Sequence, residues 1–262
     1  MEATRPFSFG ENWQAYLDFG YNQQRLASAE EHLLRFLGRP DLKGRTFLDV
    51  GSGSGIHSAA ALRAGARRVV SFDLDPASVE ATRRLWRESG APDHWHVRAG
   101  SVLDKAFLAT LEPADIVYSW GVLHHTGKMW EAIANTEPLM KREGQLYLGL
   151  YVTGPKSDYW LDVKRAYNAA SKPRRRAMEV WYGARHALFP QIVRLRNPLG
   201  LMRNQGRGMT YWTGLRDWLG GYPYEDASVA DVLKFAREHL GLEMTNINAD
   251  PGFAEYLFCH RR

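Results

Sequence analysis

The most constraining feature of this sequence is a glycine-rich turn that directly follows a short apolar run. Residues 47–55 read FLDVGSGSG, with glycines at positions 51, 53 and 55. Glycines permit positive φ angles and let a ligand approach the main chain closely. A helix that begins after such a turn also offers unpaired N–H groups. A buried strand, a glycine turn and a helix in succession therefore predict a ligand site.

The spacing of the glycines restricts the class of ligand. A mononucleotide phosphate loop requires Gly-Lys followed by Ser or Thr, and no lysine lies in this turn. The dinucleotide pattern G-x-G-x-x-G also fails, because Ile56 stands at its third glycine position. The pattern present is Asp49-x-Gly51-x-Gly53-x-Gly55.

Apolar runs that alternate with helical segments indicate the fold class. The predicted strands are Thr46–Val50, Arg68–Phe72, Trp95–Ala99, Ala114–Ser119, Gln145–Tyr151, Leu242–Ile247 and Ala254–Cys259. The predicted helices between or after them are His57–Ala64, Pro76–Glu88, Trp130–Met140 and Ser228–Leu240. This alternation predicts an α/β fold with a Rossmann-like, doubly wound, seven-stranded and mainly parallel sheet.

The same patterns suggest four segments. Residues 1–44 are predicted to be an N-terminal helical extension or lid, and residues 45–152 the cofactor-binding core. The alternation breaks at Thr153, so residues 153–225 are predicted to be a helical insertion that caps the substrate side of the ligand site. Residues 226–262 then supply a C-terminal helix and the last two strands of the core.

Two further turns extend the predicted ligand site. Asp73 ends the second strand, about twenty residues beyond the glycine turn, where an acid accepts hydrogen bonds from both ribose hydroxyls. Asp75 precedes Pro76 and is expected to cap the next helix. Ser101 and Val102 follow the third strand at the same edge of the sheet.

Three features resemble motifs of the class I S-adenosylmethionine (SAM)-dependent methyltransferase superfamily. They are the glycine pattern, the acid Asp73 at the end of the second strand, and the turn after the third strand. The span from Phe47 to Tyr151 is similar to the quinone-biosynthesis type, including its Leu-His-His stretch after the fourth strand. The resemblance implies an enzyme that uses SAM and releases S-adenosylhomocysteine (SAH). The implied cofactor-binding residues are Asp49, Gly51, Ser52, Gly53, Gly55, Asp73, Leu74, Ser101, Val102, Trp120 and Trp13.

The loop after the fourth strand lies where methyl donor and acceptor must meet. A histidine there is suited to remove a proton from a hydroxyl or thiol acceptor, so His124 and His125 are the candidate catalytic bases. The sequence does not choose between them, and packing or capping roles stay open. Tyr151, Arg207 and Tyr222 are the candidate acceptor-pocket residues, because they border the insertion or lie beside glycines.

The expected reaction is methylation of a small molecule at oxygen or at a thiol or sulfide sulfur. The alternative is an RNA or protein methyltransferase, suggested by nine Lys or Arg against one acid over residues 172–207, or a non-catalytic SAM-binding subunit. Ser119-Trp120-Gly121-Val122 stands where RNA amino-methyltransferases often carry Asn/Asp-Pro-Pro-Tyr/Phe, so nucleic acid is not favoured as a partner.

Composition supplies the remaining expectations. One cysteine and the absence of an apolar N-terminal run indicate the cytoplasm, with no membrane span. No metal site is expected, because the adjacent histidines lack nearby carboxylates. A homodimer stays open as a further partner.

Overall fold

Seven strands form one sheet in the computed structural model, which describes residues 9–185, 189 and 210–261. The strands are β1 Thr46–Val50, β2 Arg68–Asp73, β3 Trp95–Ala99, β4 Ala114–Trp120, β5 Met140–Tyr151, β6 Leu242–Asp250 and β7 Phe253–His260. Their order across the sheet is β3-β2-β1-β4-β5-β7-β6. β1 to β5 pair in parallel, whereas β7 is antiparallel to both β5 and β6.

Helices cover both faces of this sheet. The described α-helices are α1 Phe9–Phe19, α2 Gln23–Leu37, α3 Ile56–Arg63, α4 Pro76–Glu88, α5 Lys105–Leu108, α6 Met129–Ala134, α7 Ser157–Ala169, α8 Lys172–Gly183, α9 Tyr211–Gly220 and α10 Val229–His239. One apolar core joins the sheet to α2, α3 and α4, and a second joins its other face to α5, α6 and α10. The predicted doubly wound, mainly parallel fold is confirmed.

The local signals placed several elements at their observed bounds. α4 begins at Pro76, and Asp75 caps it by accepting a hydrogen bond from the Ala77 N–H at 3.0 Å. β3 also has the predicted bounds Trp95–Ala99. Capping residues and alternating burial are local properties, so tertiary contacts did not alter these boundaries.

One predicted helix is wrong in its extent. Residues 130–140 do not form one helix, because α6 ends at Ala134 and a 3₁₀ turn covers Glu137–Leu139. Pro138 lacks an N–H and disfavours an α conformation at the residue before it, so the helix stops short of it. β5 then begins at Met140, five residues earlier than the predicted Gln145.

The insertion forms a small helical unit with its own core. Val163, Tyr167, Tyr182 and Leu219 of α7, α8 and α9 form a separate buried cluster. α1 lies against both α4 and α9, so the N-terminal helix joins the core to the insertion. Much of the basic tract over residues 172–207 lies outside the described residues. Within the described ranges, no helix has the length and apolarity needed to cross a membrane.

Candidate functional site

The strand order places a crevice at the carboxyl ends of β1 and β4. The chain leaves β1 for one side of the sheet and continues from β4 on the other, and ligands bind at such switch points in open α/β sheets. The loops after the two strands touch there: a Cβ built on Gly51 would lie 2.4 Å from the Val122 Cγ1 atom. Only a glycine at position 51 permits this approach.

The predicted glycine turn has the backbone that its sequence implied. Gly51, Gly53 and Gly55 have φ angles of 80°, 54° and 79°, a region that L side chains rarely adopt. Trp13 of α1 lies over the middle of the turn, because a Cβ on Gly53 would be 2.8 Å from the Trp13 Nε1 atom. The structure thus brings the predicted residue Trp13 to the glycine turn from 40 positions away, through the N-terminal helix.

Asp73 lies beside this turn at the end of β2. Its carboxylate accepts hydrogen bonds from the Gly53 N–H at 3.0 Å and the Asp75 N–H at 2.9 Å. Burial raises the pKa of Asp73, and the Asp75 charge raises it further, while these main-chain donors oppose the shift. Each carboxylate oxygen has a second lone pair, so Asp73 retains acceptor capacity for a ligand hydroxyl.

Asp49 has a different environment within β1. It is buried and accepts a hydrogen bond from the Ser58 hydroxyl at 2.5 Å, and Ser58 is in turn paired with Ser71 at 2.6 Å. Burial raises the pKa of Asp49 to about 7. Its carboxylate joins β1 to α3 and β2 beneath the glycine turn.

The other predicted cofactor residues differ in their accessibility. The Ser52 hydroxyl pairs with Thr82 of α4 at 2.9 Å, which occupies that side chain within the protein. Leu74 is 72% exposed at the end of β2, so its side chain is available to a ligand. Ser101 accepts a hydrogen bond from the Leu103 N–H at 3.1 Å, and Val102 is buried in the core.

The two histidines after β4 carry their protons on different nitrogens. The Tyr151 N–H donates to His124 Nδ1 at 3.3 Å, so neutral His124 carries its proton on Nε2. His125 Nδ1 lies 2.6 Å from the Pro223 carbonyl oxygen, which can only accept, so Nδ1 donates and Nε2 keeps its lone pair. Burial lowers the pKa of both histidines, and the charge of Lys164 lowers each further. Both are therefore neutral near pH 7.

His124 Nε2 has no hydrogen-bond partner within the described part of the chain, although His124 is fully buried. His125 is half-buried, and its ring lies 5.1 Å from that of Phe9 on α1. Of the pair, only His125 keeps an unprotonated Nε2, and this atom lies beside Gly221, whose Cβ would be 2.8 Å from it.

Lys164 of α7 lies in an aromatic cage beside the histidines. Its Nζ donates to the Trp218 carbonyl oxygen and lies 5.1 Å from the ring centroids of Tyr151, Trp218 and Tyr224. Burial lowers the pKa of Lys164 to about 7, while the charge of Asp217 opposes this shift. The predicted pocket residue Tyr151 is thus one wall of this cage, and its ring lies 4.0 Å from that of His124.

The remaining predicted site residues are Trp120, Tyr222 and Arg207. Trp120 donates from Nε1 to the buried Glu255 at 2.8 Å, and its ring packs on Phe253 at 4.2 Å, which fixes it against β7. Tyr222 is half-buried beside Pro223, the acceptor for His125. Arg207 lies outside the described residues.

Sequence reasoning missed Asn12, Lys164 and Trp218. Asn12 and Lys164 are polar residues in helices, and sequence spacing does not show that either of them is buried. Trp218 stood among the insertion's aromatic residues, which gave no reason to single it out. In the part of the chain that the structure describes, no three His, Cys, Asp or Glu side chains are grouped to hold a metal ion.

A separate cavity of about 510 Å³ lies at the other end of the sheet. Its lining includes Thr46, Arg68, Trp95 and Ala114, which are the first residues of β1 to β4. None of the predicted site residues lines it, so the chemistry expected from the sequence belongs to the carboxyl-end crevice.

The residues around that crevice fit the predicted cofactor. Asp73 has acceptor capacity for ribose hydroxyls, Leu74 offers an exposed apolar surface to a base, and the glycine turn lets the methionine part approach the main chain. Two buried polar atoms, Asn12 Oδ1 and His124 Nε2, have no hydrogen-bond partner among the described residues. A ligand with a zwitterionic part, such as the methionine part of SAM, carries an ammonium donor and a carboxylate acceptor for such atoms.

Residues 31–146 match the family model described as ribosomal protein L11 methyltransferase (PrmA). A ribosomal protein L11 methyltransferase from Tolumonas auensis is 39% identical over 84 residues, covering 32% of this chain and 29% of the relative. Another, from Acinetobacter baumannii, is 38% identical over 135 residues, covering 52% of this chain and 42% of the relative. The chain therefore spans less than half the length of these relatives.

Among solved structures, magnesium protoporphyrin IX methyltransferase (ChlM) from Synechocystis PCC 6803, determined with bound SAH, is similar in fold. Its TM-score is 0.58 at 14% identity, with 96% of this chain and 94% of that chain covered. At this identity the likeness concerns the fold alone. It confirms the predicted Rossmann-like fold.

These findings correct one expectation of the sequence analysis. The predicted small-molecule acceptor, as both substrate and partner, is wrong, because the matching family model and the curated relatives are named for methylation of a ribosomal protein. They favour the alternative of a protein methyltransferase. The expectations of superfamily, enzyme class and SAM as cofactor are confirmed.

Proposed function

Because the chain belongs to the class I SAM-dependent methyltransferase superfamily, we propose that it transfers the methyl group of SAM to a protein. The observation that carries this proposal is the match of residues 31–146 to the ribosomal protein L11 methyltransferase model. That match includes the glycine turn, Asp73 and the histidine pair, but ends before the insertion. Ribosomal protein L11 is accordingly the first acceptor to test, and a ribosomal acceptor implies the cytoplasm.

The proposed cofactor site uses residues from three loops. Asp73 accepts hydrogen bonds from the ribose hydroxyls, Leu74 and the Ser101–Val102 turn flank the base, and the glycine turn receives the methionine part. Trp13 covers the turn from α1. When bound, SAM supplies a methyl group activated by its sulfonium, so the protein mainly has to align the acceptor with it.

The two histidines after β4 have different proposed roles toward the methyl acceptor. His125 is neutral and keeps the Nε2 lone pair, so it is available to accept the proton that a protein nucleophile loses. The Pro223 carbonyl holds its tautomer and orientation. His124 instead presents an N–H at Nε2 and is suited to donate a hydrogen bond rather than to act as a base.

The insertion offers a surface suited to a protein partner. Tyr159, Val180, Trp181 and Trp212 are 46%, 54%, 52% and 37% exposed, respectively, on α7, α8 and α9. Tyr182 connects two of them: its hydroxyl pairs with that of Tyr159 at 3.0 Å, and its ring lies 4.7 Å from that of Trp181. Exposed apolar side chains grouped in this way mark protein-binding surfaces.

The proposal is tested with SAM labelled in its methyl group. The protein is incubated with purified ribosomal protein L11, with a total ribosomal-protein fraction, and with a protein-free metabolite fraction. Label in acid-precipitable protein, with the methylated residue located by mass spectrometry, is the expected result. The Asp73→Ala variant should abolish this label. Label confined to the metabolite fraction would contradict a protein acceptor.

A further inference from the structure

The N-terminal helix α1 lies across the mouth of the cofactor crevice. The Gly10 N–H donates to the Asp75 carboxylate at 2.7 Å, and Gly10 packs so closely on α4 that its Cβ would be 2.4 Å from that of Ala77. Trp13 contacts Gly53 of the glycine turn, and Phe9 contacts His125. One helix therefore touches the ends of both strands that form the crevice.

Asn12 lies on this helix, beside Trp13, and is 6% exposed. Its Nδ2 donates to the Thr213 carbonyl oxygen of α9 at 3.0 Å. Because that carbonyl can only accept, the bond fixes which end of the amide is the nitrogen. The orientation of Asn12 Oδ1 is thereby fixed as well.

Asn12 Oδ1 is buried and has no hydrogen-bond partner among the residues described. A buried acceptor without a donor is unfavourable, and such an atom in a native protein calls for an explanation, such as a ligand or water that supplies the donor. The missing group must carry an N–H or O–H donor. No cation lies beside Asn12 on α1, whose residues 9–19 contain neither Lys nor Arg.

SAM carries a suitable donor in its methionine part, the α-ammonium with three N–H bonds. The glycine turn, where the methionine part is proposed to lie, is in contact with Trp13, the residue next to Asn12. We propose that Asn12 Oδ1 accepts a hydrogen bond from the α-ammonium of SAM and thereby joins α1 to the cofactor. This inference rests on the cofactor site of the proposed function, but not on the identity of the acceptor.

The test compares two ligands that differ in the methionine part. SAH contains the α-ammonium, whereas 5′-methylthioadenosine contains the same adenosine and thioether but no amino-acid part. Isothermal titration calorimetry is run with both ligands on wild type, Asn12→Ala and the matched control Gln14→Ala. Gln14 is a second amide on α1 whose Nε2 donates to the Ala77 carbonyl at 3.2 Å, so its removal loosens α1 without removing the proposed contact.

Asn12→Ala should weaken SAH binding roughly tenfold or more, because a hydrogen bond to a charged group is lost. Its affinity for 5′-methylthioadenosine should be unchanged, which also shows that the adenosine site is folded. Gln14→Ala should retain most of its affinity for SAH.

Three results would overturn the inference. The first is an unchanged SAH affinity in Asn12→Ala. The second is a loss of affinity in Asn12→Ala that is equal for SAH and 5′-methylthioadenosine. The third is a loss of SAH affinity in Gln14→Ala as large as that in Asn12→Ala. A wild-type protein that binds neither ligand would overturn the cofactor site itself. A protein that binds both ligands as expected but labels no protein would overturn only the proposed acceptor.

Discussion

The indole of Trp13 lies directly against Gly53, so that a Cβ at position 53 would be 2.8 Å from the Trp13 Nε1 atom. The residue with the left-handed backbone in the middle of the ligand turn is therefore also the residue on which the N-terminal helix rests. The backbone conformation of the turn and the packing of α1 on it therefore both depend on position 53.

Gly53→Ala should reduce both stability and SAH affinity. The alanine meets a φ of 54° and the indole together, so we expect a loss of about 2–4 kcal/mol in the free energy of unfolding. Gly90→Ala is the matched control, because Gly90 has a φ of 89° but nothing within 4 Å of its Cβ position. That control should lose only about 1 kcal/mol and bind SAH normally. Equal losses in the two variants, measured by urea denaturation, would show that the Trp13 contact contributes nothing.

Asp73→Ala should weaken SAH binding well over tenfold, because the variant removes the acceptor proposed for the ribose hydroxyls. The exposed Asp93→Ala variant controls for the loss of one negative charge. Calorimetry gives the affinities, and circular dichroism checks that the fold is intact. An unchanged affinity in a folded Asp73→Ala protein would contradict the ribose placement.

His125→Ala should lower kcat/KM for the protein acceptor by about 10²–10⁴, the range for loss of a positioned general base. SAH affinity should change little, because the proposed role of His125 is toward the acceptor. His94→Ala, on the exposed side of the fold, should have wild-type kinetics. If His124→Ala alone caused the loss while His125→Ala remained active, the assignment of the base to His125 would be wrong.

Lys164 should make stability depend on pH. The unfolded chain holds this proton up to the usual pKa of 10.5, whereas burial lowers the pKa in the folded protein to about 7. Between these values the unfolded state binds more protons, so the free energy of unfolding rises with pH, by at most about 1.4 kcal/mol per pH unit. Below the folded pKa both states are protonated and this contribution stays at its minimum.

Lys164→Met removes this titration. Relative to wild type, the variant should be most stabilised at about pH 6 and should lose that advantage toward about pH 9. Loss of the hydrogen bond to the Trp218 carbonyl adds an offset that does not vary with pH. The exposed Lys234→Met variant serves as the control. A difference between Lys164→Met and wild type that stayed constant across this pH range would contradict a displaced pKa.

The sequence by itself determined the sheet and the backbone of the glycine turn. Alternating burial, helix caps and glycines that require positive φ act over a few residues, so β3, α4 and the glycine turn followed from the local pattern. The same motifs indicate the cofactor without indicating the acceptor, because the residues that bind SAM are not those that select what is methylated. The small-molecule prediction failed for this reason.

Only the tertiary structure decided the surroundings of His125, Lys164 and Asn12. The Pro223 carbonyl that sets the His125 tautomer is 98 positions away, and the Thr213 carbonyl that orients Asn12 is 201 positions away. Burial, rather than any pattern of residues on α7, lowers the pKa of Lys164. The nitrogen that carries a proton, and whether a buried atom has a hydrogen-bond partner, depend on which groups the fold brings within about 3 Å. Sequence spacing does not show contacts between residues that lie so far apart in the chain.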